Sequence, residues 1–506
     1  MHPFYITTPI YYLNGAPHLG HAYTTIFTDT ITRFWRLAGR PTYFLTGTDE
    51  HGQKIVEAAT KAGLKPQDFV DQAYQPFYDM NAEVGAQPND FIRTTEARHK
   101  RGAEALWKKI DQNGWIEKGV YAGWYAVRDE AFYKEADIKD GKAPTGAPVA
   151  WVEEPCYFFK LSAFRDKLLD FYRQHPDFIV PKTRYNETIS WVEQGLQDLA
   201  ISRSTLRWGI PVPGDETHVM YVWIDALSNY INALGYPEKN QKFESWWPHA
   251  RHVIGKDILR FHAIYWPAFL MAADIPPPRQ LYIHGWWTVE GEKMSKSVGN
   301  VLSPTDLVAL FGIDPLRYFL LRQMPFGDDG NFSEATFAER FRSDLANDLG
   351  NLFQRVLAFI QKRGGTISPN PQGPVSEDID TWRQHLWSQL EGFMTSVEPH
   401  RYLTHIWEGV ALGNRFFDAL EPWKLAKSDA PEDLRRLNSG LVQMLALLYD
   451  LALYLQPVMP EAAKTMLAQL GYDGPPLPFH NETFRLTEGA SLPKPWPLFQ
   501  KDRNAA

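Results

Sequence analysis

The order of the first elements constrains this chain more than any other feature. Phe4 to Ile10 is a β-branched and aromatic run, Asn14-Gly15 turns the chain, and Pro17 stands where a helix could begin. From Leu19 to Leu37 the apolar positions Ala22, Ile26, Ile31 and Phe34 recur with helical rather than alternating period. A second strand-like run, Thr42 to Thr46, ends in Gly47, and helical segments follow to about Asn113. Strand, turn, helix, strand, helix is the start of a doubly wound, Rossmann-like parallel α/β sheet.

From Gly114 to about Pro213 the alternation breaks. Short aromatic runs, a Gly/Pro-rich patch from Gly141 to Pro148 and the run from Trp208 to Gly214 read as an insertion. Alternating structure resumes at His218 with Val219 to Trp223, then Arg251 to Ile254 and Leu281 to His284; from about Asp344 only helical patterns remain. The expected organisation is a catalytic α/β domain in two halves, 1–114 and 215–287, split by an inserted domain at 115–214. A lysine-loop segment at 288–345 and an α-helical domain at 346–506 follow. With 506 residues, the chain is long enough for several cores at roughly 100 to 200 residues per domain.

Composition removes several classes. The single cysteine, Cys156, cannot form an internal disulfide, and a four-thiolate zinc site would need more sulfur than the chain has. The formal charge of −8 argues against a polybasic membrane surface or bulk DNA coating, though a local basic stripe can still meet RNA. Leu441 to Leu455 is the most apolar stretch, but Gln443 and Asp450 interrupt it and Pro457 follows, so it reads as a buried helix rather than a bilayer span. The N-terminus lacks a basic flank and a long apolar region, so no signal peptide is expected.

Two segments carry chemistry. At the first strand-to-helix turn stands His18-Leu19-Gly20-His21. A helix N-terminus at the carboxyl end of a strand offers N–H groups and partial positive charge to an anion, two imidazoles add donors, and Gly20 lets a flat base approach the backbone. After the last strand comes Gly291-Glu292-Lys293-Met294-Ser295-Lys296-Ser297. Lysines alternating with serines beside glycine make a cationic loop able to close on a triphosphate. Each segment alone could be ordinary surface, but both occur, in this order, at the two ends of one α/β unit.

These paired segments resemble the signatures of the class I aminoacyl-tRNA synthetases, and the likeness narrows to the methionyl-tRNA synthetase family over nearly the whole chain. It is carried further by Ile10 to Gly15, Gly47-Thr48-Asp49-Glu50-His51-Gly52, Tyr221 to Tyr230, Gly255 to His262, Asp344 to Asn351 and Glu421-Pro422-Trp423-Lys424. The resemblance implies ATP-dependent ligation of methionine to its cognate transfer RNA, initiator and elongator, through a methionyl-adenylate.

On this likeness His18, His21, Lys293 and Lys296 are catalytic, and Gly20 and Ser295 join them around ATP. Positions matching the family's amino-acid pocket are Ile10, Tyr12, Val222, Trp223, Ala226, Leu227, Tyr230, Ile258, His262 and Trp266. Helical spacing supports this, because Trp223, Ala226 and Tyr230 share one face and Ile258, His262 and Trp266 another, although both stripes could equally be core. A flexible thioether suits aromatic walls, and the Tyr230 hydroxyl is the candidate contact to sulfur. Asp49 is expected on the substrate ammonium group, the bland alternative being a helix cap; His51 and Gly52 have no evident role. Asn347, Asn351 and Arg355 follow at helical spacing and, with Trp423, are the expected anticodon contacts. Arg340, Arg342, Lys362 and Arg363 add local positive charge.

Two departures from the family pattern matter. Ala126 and Asp129 stand where many relatives place zinc-binding cysteines, so no structural zinc is expected, and magnesium should enter only with ATP. The chain also stops at Ala506, short of the additional dimerising domain of many relatives, so the expectation is a cytoplasmic monomer with no membrane partner. The rivals are a class I synthetase for another apolar amino acid and a catalytically silent RNA-binding paralogue.

Overall fold

The fold, obtained as a computed structural model, is described for residues 2–126, 131–133, 135–238, 240–294, 299–367, 376–479 and 491–499. Its centre is a seven-stranded sheet in which every pairing is parallel. Strand β1 (Phe4–Thr7) runs between β3 (Thr42–Asp49) and the Ala250–Gly255 strand. Two further strands, β2 (Tyr11–Tyr12) and β4 (Asp90–Arg93), also pair with β3. Beyond Ala250–Gly255 come Gln280–His284 and Ile179–Val180. The chain therefore winds one way from β1 through β3 and the other way through Ala250–Gly255, and the crevice beside β1 is the switch point where such sheets bind ligands. Helix α1 (Leu19–Leu37) covers the sheet with fifteen of its nineteen residues buried.

The insertion is an antiparallel sheet. Ile116–Ala126 pairs with Ala150–Phe159 from Ile116 opposite Phe159 to Tyr125 opposite Ala150, and Ala131–Tyr133 and Leu199–Ala200 flank them. Two expectations need correction. Ile179–Val180 falls inside the span 115–214 assigned to the insertion, yet it forms the edge of the parallel sheet, because Phe178, Ile179 and Tyr172 bury in the catalytic core. The Val219 to Trp223 run does not return to that sheet either. Its strand, Asp215–Met220, lies in a separate three-stranded antiparallel sheet, and a helix, Val222–Leu227, begins two residues later. Alternation over four or five residues cannot separate a strand from a helix start, and here burial of Ile224, Leu227 and Ile231 at helical spacing decides.

The boundary expected at 345/346 lies inside a continuous helical stretch, Glu334–Arg340, Phe341–Gly350 and Asn351–Lys362. The helices Glu377–Thr395, Pro399–Leu420, Pro431–Leu455 and Pro460–Gln469 complete that half. Pro431–Leu455 is long and apolar enough to cross a membrane, but 72% of its most apolar window is buried within the protein. Gly409 marks a close approach between helices: an added Cβ would lie 2.4 Å from the Trp382 ring.

Arg317 joins the halves. Fully buried on the Ile313–Arg322 helix, it reaches Asp29 of α1 at 2.7 Å, the Val84 carbonyl at 3.1 Å and the Pro457 and Val458 carbonyls at 3.0 and 2.8 Å. A buried guanidinium needs all its donors satisfied, and these partners come from both ends of the chain.

Candidate active site

A cavity of about 2040 Å3 opens at the switch point. It is larger than a single small-molecule pocket of ~300–1,000 Å3 and has room for two substrates. Of the expected residues, Ile10, Tyr12, His18, Gly20, His21, Asp49, Val222, Trp223, Ala226, Leu227, Tyr230, Ile258, His262 and Lys293 all line it. Ser295 and Lys296 lie outside the described residues, as does Asp129.

At one end stands the start of α1. The helix begins at Leu19, with His18 as its N-cap, rather than at Pro17. His18 Nδ1 accepts from the Gly20 N–H at 3.1 Å, and His21 Nδ1 accepts from the His18 N–H at 3.1 Å. In the neutral rings the proton therefore sits on Nε2, giving two N–H donors beside a helix N-terminus. The rings stack at 3.8 Å. A Cβ on Gly20 would press on His18 Cε1 at 3.0 Å, so glycine protects the capping geometry as well as leaving backbone accessible. Lys293, on the short Glu292–Lys293 strand, holds its ammonium 4.3 Å from the Trp286 ring centroid. Trp286 was not expected from the sequence. Its indole N–H donates to Asp257 at 3.1 Å, its backbone N–H donates to Asp329 at 2.8 Å, and the Lys256 ammonium lies 4.3 Å from the ring.

The other end is aromatic and dry. The Tyr230 hydroxyl meets His262 Nε2 at 2.7 Å, while His262 Nδ1 lies 3.0 Å from the Ile258 carbonyl. A carbonyl only accepts, so Nδ1 carries the proton and Tyr230 donates to Nε2. Burial pushes His262 down to about 4, which keeps the ring neutral at pH 7 and preserves that acceptor. The Tyr230 O–H is thus committed to His262 and does not donate to a thioether sulfur, which can only accept, so the expected hydroxyl–sulfur hydrogen bond gives way to packing against the ring. Trp266 does not line the cavity: fully buried behind Tyr230, it donates to His252 Nε2 at 3.3 Å. His252 in turn stacks on Tyr230 at 3.9 Å. Trp223 stacks on Phe261 at 3.7 Å, a partner that spacing did not suggest.

Asp49 ends β3 between these two ends, only 7% exposed. The residues after it are tied down. Glu50 takes Arg93 through both oxygens at 2.7 and 3.0 Å, and its carbonyl accepts from the Trp208 indole at 2.7 Å. His51 Nδ1 lies 2.7 Å from Asp225.

Far from the cavity, the helical half presents a second face. Asn347 and Asn351 are exposed, and Trp423 is 44% exposed on the Pro422–Leu425 turn of helix. Arg355 and Trp423 meet across Phe417, whose ring lies 5.4 Å from the guanidinium and 6.5 Å from the indole. Arg355 also pairs with Asp418, and Arg340 with Asp344 at 2.9 Å. Two of the five cations expected to give this face its positive balance are therefore neutralised by neighbouring carboxylates. Phe417 and Asp418 come from a different helix than Asn351 and Arg355, which is why local spacing did not reveal them.

Among the described residues, no group of three or more His, Cys, Asp or Glu is arranged to hold a metal ion.

A family model described as "tRNA synthetases class I (M)" matches residues 4–147 and 138–357. The methionine–tRNA ligase of Rickettsia felis is 47% identical over 510 residues, covering 99% of this chain and 99% of its own. That of Brucella suis biovar 1 is 46% identical and covers 98% of both. Among solved structures, Mycobacterium tuberculosis methionyl-tRNA synthetase in complex with methionyl-adenylate matches with a TM-score of 0.95 at 44% identity, covering 99% of this chain and 100% of that one. The apo form of the same enzyme matches with a TM-score of 0.88 at 41% identity and covers 99% and 98%.

Proposed function

The chain belongs to the methionine-specific class I tRNA synthetases, and from that premise we propose how its own residues perform the ligation of methionine to transfer RNA. The observation that carries the reading is the sharing of one cavity by the α1 start, Asp49, the Tyr230–His262 pair and Lys293. Methionine lies with its thioether against Trp223, Ala226, Tyr230 and His262 and its ammonium group on Asp49. Its carboxylate, already anionic at pH 7, attacks the α-phosphorus of ATP. The new bond joins carboxylate oxygen to phosphorus, the α–β bridging bond breaks, and pyrophosphate leaves with that electron pair.

No general base is required. The residues act by placing reactants and by stabilising charge on the phosphates. His18 and His21 donate through Nε2 at the helix start, Gly20 leaves space for the adenosine, and Lys293, Ser295 and Lys296 close over the triphosphate. In the second step the terminal adenosine hydroxyl of the transfer RNA attacks the acyl carbon, the bond from that carbon to the bridging phosphate oxygen breaks, and AMP departs with the electron pair while its phosphate takes up the hydroxyl proton. Magnesium enters as the magnesium–ATP substrate. The apolar packing of Ala126 with Ala143 and Ala147 at the tip of the insertion supports a zinc-free tip. The face of Asn347, Asn351, Arg355 and Trp423 reads the anticodon, and the enzyme works as a cytoplasmic monomer.

Pyrophosphate exchange dependent on methionine, and not on leucine, isoleucine or valine, tests the substrate assignment. Metal analysis of the same sample tests the zinc assignment, and sedimentation tests the monomer. Equal exchange with any of the other three amino acids would overturn the pocket reading.

A further inference from the structure

The catalytic domain buries a polar network that the substrate contacts above do not use. Asp225, 0% exposed, holds His51 Nδ1 on one oxygen and His99 Nε2 on the other, each at 2.7 Å. Behind His99, the Asn232 amide donates to the His99 carbonyl at 3.1 Å and to the Ser228 hydroxyl at 2.9 Å. Gly102 makes the room: a Cβ there would lie 1.9 Å from Asn232 Oδ1. Burial opposes charge on Asp225, yet the two imidazoles outweigh it and draw its pKa below the usual carboxylate range.

The position of the network gives it meaning. His51 stands two residues beyond Asp49, and Asp225 stands on the Val222–Leu227 helix between Trp223 and Ala226. The third arm, His99, belongs to the long Ala97–Gln112 helix. Apolar side chains of similar volume would hold three elements together with no desolvation cost, but without direction. A carboxylate accepting on both oxygens at once sets distance and angle.

We propose that Asp225 is a positioning residue. Through His51 it sets the place of the Asp49 carboxylate against the Trp223–Ala226 wall, so that the ammonium and thioether ends of methionine are matched by one rigid span. The inference rests on the reading of Asp49 as the ammonium contact.

Two alcohols separate this role from general support. Methioninol carries the ammonium group, and 4-(methylsulfanyl)butan-1-ol has the same chain without it. Competition with methionine in pyrophosphate exchange gives an inhibition constant for each, and the preference for the amine reports the Asp49 contact with thioether binding cancelled. Asp225→Asn keeps the shape of the side chain. It is expected to reduce that preference about tenfold and raise KM for methionine, with KM for ATP and the constant for the amine-free alcohol within about twofold.

Equal weakening of both alcohols, or an unchanged preference, would overturn the proposal. Asp49→Asn is measured alongside. A preference unchanged there removes the ammonium role itself, whereas one that falls there but not in Asp225→Asn removes only the positioning role. Should Asp225→Asn fail to fold, the pair His99→Gln and His99→Leu decides. Glutamine retains a donor near Nε2 and is expected to hold the preference within about threefold, while leucine loses it; identical behaviour of the two would overturn the proposal.

Discussion

At the end of the cavity proposed for methionine, Tyr230, His252, His262 and Trp266 are each at most 2% exposed and linked to one another by hydrogen bonds or ring contacts. At the end proposed for phosphates, His18, Gly20 and His21 are half-buried and Lys293 is exposed. The contrast follows the chemistry each end must do. Separating methionine from other apolar side chains by fit alone yields only ~1–3 kcal/mol per methylene, and in the proposed pocket the mutual hydrogen bonds of Tyr230, His262, His252 and Trp266 fix the shape of the wall that makes that fit. Phosphates bring their own charge and must enter and leave with water, which suits the donors on the helix start and the exposed Lys293 to the role proposed for that end.

The sharpest way to break this comparison is Lys296→Ala. Loss of a cation that acts on charge developing in the transition state should lower the maximal exchange rate about 10²- to 10³-fold with methionine affinity unchanged. An unaltered rate would move the phosphate role elsewhere.

Trp423→Ala extends the comparison to the far face. Removing a stacking platform should weaken charging of the methionine-specific transfer RNA by ~1–3 kcal/mol, about 5- to 150-fold in kcat/KM for the RNA, and leave exchange intact. Equal losses in both assays would contradict the separation of the two faces.

Tyr230→Phe should act on the dry end alone. It strands His262 Nε2 without its donor at 2.7 Å, so KM for methionine should rise about tenfold while KM for ATP stays level. A parallel rise in both would mean the two ends are not independent.

A separate effect falls on stability rather than on either activity. His262 titrates near 4 in the fold against an ordinary 6.5 because of burial. Between those values the unfolded chain takes up a proton that the native ring refuses, so stability falls as pH drops through the window, by a few kcal/mol at most. Asp314, pushed up to about 7 by burial, acts with the opposite sign: its contribution is lost as pH rises from 3.8 toward 7. Thermal unfolding across pH 4 to 7 should show a shallower acid-side loss in His262→Asn and a shallower loss on the neutral side in Asp314→Asn.

Much of the cavity was legible before any coordinates. Residues at strand ends and on single helix faces, such as His18, Asp49 and Trp223, line it as local spacing required. Trp266 sits behind Tyr230 rather than on the cavity surface, since a helical stripe shows which residues share a face but not how deep each one sits. The Val219 to Trp223 run was misjudged because a short apolar alternation fits both periods.

What the sequence determined by itself is therefore local: strand–turn–helix order, the helix start that carries His18 and His21, and the lysines after the last strand. Partnerships across 32 to 288 residues were decided only by the tertiary structure. Examples are Asp225 between His51 and His99, Tyr230 donating to His262, and Arg317 spanning Asp29 and Val458. The reason is geometric. A hydrogen bond needs its atoms within about 3 Å and aligned, and only the packed chain brings residues so distant in sequence to that separation.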